Sequence, residues 1–194
     1  MSDQSTILKL GNERLLKPSA PVVDPTAPDI RDLLARMQHE LDLVGGIGLA
    51  APQLDDHRRV ILFCLPEWRI PEGSTTRPEP PTAVINPVLE PLGAEKRPIW
   101  ERCLSLPGLY GRVQRYNHIR LTFQTTTGET VVREFKGYLA MLLQHEYDHL
   151  DGYLYPMRME KLSDLAYASE LPLVDGLFAY SAAEFDGLDT TPAA

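Results

Sequence analysis

Strand-forming runs come before a late central helix in this chain, an order that predicts an α+β fold and a single domain over residues 1–194. Two observations carry that prediction. In "HIRLTFQTTTGETVVREF" (118–135) the alternation Ile119, Leu121, Phe123 leads into a Thr-Gly turn and a second strand, the pattern of a hairpin. "KGYLAMLLQHEYDHLDG" (136–152) then has helical spacing, with Leu139, Leu142, Leu143 and Leu150 on one side and Gly152 near its end.

The other elements follow in order. From Asp29, the residues Ile30, Leu33, Leu34, Met37, Leu41 and Val44 recur at helical intervals. Asp29 is placed to cap the start of that helix, and Gly45-Gly46 to end it in a left-handed turn. "GGIGLAAPQ" (45–53) has too much glycine for a helix interior and is too apolar for an ordinary surface loop. "RRVILFCL" (58–65) reads as a buried strand. The proline-dense stretch 66–81 reads as an exposed excursion, and "TAVINP" (82–87) as a strand stopped by Pro87. The tail from about 161 carries one base, Lys161, against six acids. It has room for a further helix limited by Pro172, and a frayed "DTTPAA" end is expected.

Composition narrows the functional classes. The chain has 194 residues, 43% hydrophobic and 24% charged, in the ordinary range for a globular protein with a sizeable core. A net charge of −8 argues against a general nucleic-acid or anionic-membrane surface. No apolar run approaches the roughly 20 residues that span a bilayer. "MSDQSTILKLG" lacks a signal-peptide pattern, so a cytoplasmic location is expected. Two cysteines make no disulfide framework there.

The chemistry concentrates in "QHEYDHLDG" (144–152). Residues i and i+4 share a helix face, so His145 and His149 can present ring nitrogens to one ion, with Glu146 beside them to carry protons. A catalytic ion of this kind takes three protein ligands and leaves a position open for water. A third histidine in the pattern HExxHxxGxxH is excluded because Tyr155 stands at its position. Glu170 lies at about the spacing of a downstream glutamate ligand, but Pro172 makes a poor helical setting for it. Cys103 remains, in the polar context "WERCLSLPG", whereas Cys64 sits inside "VILFCL" and reads as core. His39, His57 and His118 lie in polar settings and are expected to be solvated.

Three segments in order, "GIGLAAPQ" (46–53), "ERCLS" (101–105) and "QHEYDHLDG" (144–152), resemble the motifs GxGLAAxQ, EGCLS and QHExDHLxG of peptide deformylases. The resemblance spans roughly residues 7–158. It implies small, mainly antiparallel sheets wrapped around the HExxH helix, and removal of the formyl group from N-formylmethionyl nascent chains. It implies that Cys103, His145 and His149 hold a divalent metal, natively Fe²⁺, with Zn²⁺, Ni²⁺ or Co²⁺ also accepted. Glu146 would be the acid–base, and Gln53 with the backbone N–H of Leu104 would bind the developing oxyanion. Gly46, Ile47 and Gly48 would flank the peptide, and by position Ile47, Tyr138, Met141 and Leu142 would line the pocket for its first side chain. The partner is then a formylated peptide, met transiently at the ribosome.

One position departs from the family pattern, because Arg102 replaces the glycine before the cysteine. It would be awkward if that backbone had φ > 0, and harmless otherwise. Competing readings are a diverged enzyme for another small N-formyl compound, a non-catalytic formyl-peptide-binding homologue, and a peptidase using Glu170.

Overall fold

A computed structural model describes residues 5–174 and 177–187. The first helix, α1 (Pro28–Val44), buries Ile30, Leu33, Met37 and Leu41, as the periodicity predicts. Its start differs from expectation. Ala27 occupies the cap position and Pro28 fixes the first turn, while Asp29 lies inside that turn and pairs with Arg58 at 2.6 Å. Gly45 ends the helix in the left-handed conformation at φ 62°.

The glycine-rich segment after α1 is a short strand, β1 (Gly48–Ala50), followed by a 3-10 turn over Ala51–Leu54. It pairs antiparallel with β2 (Val60–Leu65), almost wholly buried. Cys64 is half-buried rather than deep, and packs against the core around Phe63. Next comes β3 (Glu79–Pro91), which runs through Pro87 instead of stopping there. The register against the next strand shifts between Ile85 and Val88, and Asn86 has φ 51°. That irregularity absorbs a residue with no N–H to donate, so the proline interrupts the ladder without ending the strand. The hairpin is present as β6 (His118–Gln124) and β7 (Thr130–Lys136), and the sheet order is β1-β2-β3-β6-β7.

The strands of the second sheet were not anticipated from the sequence. Strand β4 (Lys96–Arg102) pairs with β5 (Leu109–Tyr116), and β5 pairs in turn with β8 (Leu165–Tyr167). Between these two antiparallel sheets lies α2 (Gly137–Leu150), in which every residue from Leu139 to Leu150 except Tyr147 is buried. A helix buried on all sides has no solvent face for its polar residues, so Gln144, His145, Glu146, Asp148 and His149 must find partners inside. This is the α+β architecture expected, with the HExxH residues on its central helix.

The tail is more ordered than its composition suggested. Beyond β8 it forms a two-stranded pair, β9 (Leu173–Val174) and β10 (Leu177–Phe178), then the five-residue helix α3 (Ala182–Asp186). The Asp186 carboxylate accepts hydrogen bonds from Ser74, Thr75 and Thr76, tying the proline-rich excursion to the end of the described chain. The "DTTPAA" segment lies outside the described residues. No helix among the described residues is long and apolar enough to cross a membrane.

Candidate metal centre

Two segments distant in sequence bring together three atoms able to ligate a metal. Cys103 follows directly on the end of β4, while His145 and His149 come from successive turns of α2. One ligand atom from each lies within 4.8 Å of the other two, and all three residues are buried. The Cys103 sulfur is 3.3 Å from His149 Nε2. Glu170 is exposed in a 3-10 turn and bonded to Ser169, so the structure does not bring it to the histidines. Tyr155 is buried and stacks on the His145 ring, with centroids 6.2 Å apart.

His145 is oriented from behind by a buried polar chain. Its Nδ1 lies 2.7 Å from Glu101 Oε2. Arg115 holds Glu101 by two bonds, of 2.6 and 3.0 Å, and reaches Asp148 at 2.7 Å. Arg158 completes the chain on Asp148. Burial alone would protonate Glu101, but the Arg115 charge beside it and the bond from His145 pull its pKa down to about 2. Glu101 is therefore a carboxylate, able to hold His145 with Nδ1 protonated and Nε2 turned to the cluster. Glu101 and Asp148 lie inside the sequence motifs with no role legible there, and no motif contains Arg115. The signal available was period-two alternation, which places Glu101 and Cys103 on the same side of the chain.

The thiol shows a similar competition. Desolvation would raise its pKa, yet the His149 charge and hydrogen bonding with both histidines hold it well below the usual thiol range. Glu146 behaves oppositely. Burial pushes it up to about 7 against the pull of both imidazoles. Its Oε2 is buried without a hydrogen-bond partner, an unusual state for a carboxylate oxygen. A cysteine sulfur and two imidazoles form the soft, nitrogen-and-sulfur donor set that suits iron, zinc, nickel or cobalt, and the orphaned oxygen beside it leaves room for a further polar occupant.

Gly48 shows why the first motif needs glycine. A Cβ built there would collide with Glu146 Oε1, so the strand passes against the carboxylate only because the side chain is missing. Gln53 is buried, and its Oε1 accepts from Ala50 N–H at 2.9 Å. Its Nε2 donates to Ser105 Oγ at 3.1 Å and to the Cys103 sulfur at 3.6 Å, so its second amide hydrogen points into the cluster. The Leu104 backbone N–H has no acceptor among the described residues.

These residues open onto a cleft of about 430 Å³. Gly46, Ile47, Tyr138, Met141 and Leu142 line it, so the positions named from sequence do converge there. The opposite wall could not be read from sequence. Trp100 stacks on Phe178 with centroids 6.0 Å apart, and Tyr180 donates to the Trp100 carbonyl at 2.9 Å. Phe178 and Tyr180 belong to the acidic tail, which thereby forms part of the cleft. Arg102 also lines it. Its backbone lies in β4 opposite Tyr110, and it is not among the residues with positive φ, so the arginine is unstrained where the family motif has glycine.

With this geometry established, comparison with known proteins gives a consistent result. A family model described as Polypeptide deformylase matches residues 4–164. Peptide deformylase 2 of Bordetella bronchiseptica is 40% identical over 166 residues, covering 85% of this chain and 93% of that protein. Peptide deformylase 1 of Nitrosomonas europaea is 38% identical over 166 residues, with 85% and 93% covered. Among solved structures, that of peptide deformylase from Ehrlichia chaffeensis in complex with actinonin has a TM-score of 0.74 at 30% identity. It covers 82% of this chain and 91% of that one.

Proposed function

This chain belongs to the peptide deformylase family, and from that premise we infer that Cys103, His145 and His149 are the metal ligands of its active site. The enzyme removes the N-terminal formyl group from nascent polypeptides, releasing formate. The observation that carries the residue assignment is the buried Cys–His–His cluster with the unpartnered Glu146 oxygen beside it.

A divalent ion held by those three residues would lower the pKa of water toward about 7 and polarise the formyl carbonyl. Glu146 Oε2 takes the proton of the attacking water and returns it to the departing amine, a task suited to a carboxyl that burial tunes to about 7. The Gln53 amide hydrogen that the Cys103 sulfur accepts at 3.6 Å would shift to the formyl oxygen, and with the Leu104 N–H donate to it as negative charge grows there, each worth about 3 kcal/mol. Glu101 keeps His145 in the tautomer whose Nε2 faces the cluster. Met141, Leu142 and Ile47 receive the methionine side chain, while Gly46 and Gly48 let an extended peptide approach the β1 backbone. The native ion in this reading is Fe²⁺, which rests on the family resemblance alone, since the thiolate–imidazole set also suits Zn²⁺. The protein acts in the cytoplasm on chains emerging from the ribosome and makes no direct nucleic-acid contact, in keeping with its net charge of −8. It works as one catalytic domain.

The test is formate release from a formyl-methionyl peptide by oxygen-protected protein, with metal analysis alongside. Turnover proportional to one equivalent of bound metal supports the assignment. Turnover in metal-free protein would overturn it.

A further inference from the structure

The cleft carries positive charge that the mechanism above does not use. Lys9, Arg69 and Arg102 line it in a chain whose net charge is −8. The carboxylates lining it are Glu101, fully engaged by Arg115 and His145, and Glu146 at the cluster. Lys9 is committed to the Leu104 carbonyl at 3.1 Å. The two arginines are not satisfied. Arg102 has no hydrogen-bond or ion-pair partner among the described residues. Arg69 has a buried Nε with no partner and no carboxylate beside it, its contacts being a 3.5 Å bond from Nη2 to the Gly45 carbonyl and the Trp68 ring 4.8 Å from its guanidinium.

The two arginines line the same cleft and repel one another across it. Burial lowers the Arg69 pKa, and the nearby Arg102 charge lowers it further. An anion between them would relieve both penalties, since a guanidinium desolvated without a counter-charge is costly. Tyr110 lies directly across the strand pair from Arg102, and Tyr138 senses the charge of both arginines. Arg69, Arg102, Tyr110 and Tyr138 thus all line the same cleft.

Its position limits what the anion can be. Tyr138 is two helical turns before His145, about 10 Å along the axis at 1.5 Å per residue. An extended peptide advances about 3.3 Å per residue, so a group two residues beyond the formylated one reaches that far. Arginine pairs recognise carboxylates through bidentate bonds. We propose that Arg69 and Arg102 form a carboxylate-binding subsite that selects formylated peptides bearing a carboxylate within two residues of the formyl-methionine. An acidic side chain and the free α-carboxylate of a very short chain offer the same chemistry. This rests on the deformylase reading for the peptide's direction, while the subsite itself is read from the unpartnered guanidinium groups.

The experiment uses metal-loaded protein and two matched peptide pairs, formyl-Met-Ala-Glu-amide against formyl-Met-Ala-Gln-amide, and formyl-Met-Ala-Ala as free acid against its amide. The expected result is a kcat/KM about five- to tenfold higher for the carboxylate member of at least one pair, shrinking at high salt. Preference in the first pair alone assigns the side chain, and in the second alone the chain terminus. Arg69→Met and Arg102→Gly should each bring the ratio within a pair toward one. Because the readout is a ratio, a general loss of activity cancels. Dissociation constants of N-acetyl-methionyl versions of the same pairs, measured by calorimetry, give the ratio without turnover. Equal binding of both members in both pairs overturns the subsite. A binding preference without formate release from any peptide upholds the subsite and removes the deformylase reading instead.

Discussion

Two cysteines of this chain differ only in what surrounds them, and that difference decides their chemistry. Cys103 has a histidine nitrogen 3.3 Å from its sulfur, while burial raises the pKa of Cys64 among apolar neighbours. Cys103→Ala should lose metal and activity together, because two imidazoles alone hold an ion weakly. Cys64→Ala should keep one equivalent of metal and lower stability by about 1 kcal/mol, the scale of a half-buried side chain. Metal content and a denaturant midpoint check both. Glu146→Gln should still bind metal yet lose about 10²–10⁴-fold in kcat, the range of one general acid–base, read on protein of measured metal content. The glutamine fits because Gly48 leaves room for the shape of either side chain.

Among the elements, α2 and the β6–β7 hairpin were legible because each announces itself within about 18 residues, through apolar spacing and a turn. Strands β4 and β5 were not. Their sequences, "KRPIWER" and "LYGRVQRY", alternate weakly, and the pairing that stabilises them extends into β8 more than fifty residues away. Helix α3 has only five residues and depends on long-range contacts, chiefly the Asp186 carboxylate on Ser74, Thr75 and Thr76. Those hydrogen bonds outweigh the effect of burial and hold Asp186 well below the usual aspartate range. A depressed pKa in the fold means stability that is fully present above the unfolded value, about 3.9, and is lost as pH falls through the folded one. Asp186→Asn should therefore lower the unfolding free energy by about 1.5–3 kcal/mol near neutral pH. The gap between variant and parent should narrow below about pH 4, as seen in urea midpoints measured across that range.

On the scale of the whole molecule, the family match stops at residue 164, yet the cleft does not. Phe178 stacks on Trp100, Tyr180 bonds the Trp100 carbonyl, and Phe185 stacks on Tyr138 at 4.5 Å. The acidic tail thus forms a wall of the cleft. Phe178→Ala should leave metal content intact and raise KM for formyl-methionyl peptides about five- to tenfold, the value of one aromatic contact of about 1–1.5 kcal/mol. Steady-state kinetics on metal-loaded protein measure it, and an unchanged KM would mean that Phe178 takes no part in substrate binding.

The sequence by itself pointed to the reaction class and to two candidate ligands, because HExxH is a local pattern whose helical spacing brings its histidines to one face. It pointed to a third candidate, Cys103, through the resemblance of its motif. Only the tertiary structure decided which groups serve those ligands. Glu101 meets His145 across 44 residues and Gln53 reaches Cys103 across 50, contacts set by the packing of two sheets on one helix. The same packing made Arg102 unstrained, left Arg69 without a partner for its Nε, and brought the tail over the cleft. Local spacing carries no information about any of these, since each depends on which distant backbone the side chain comes to face.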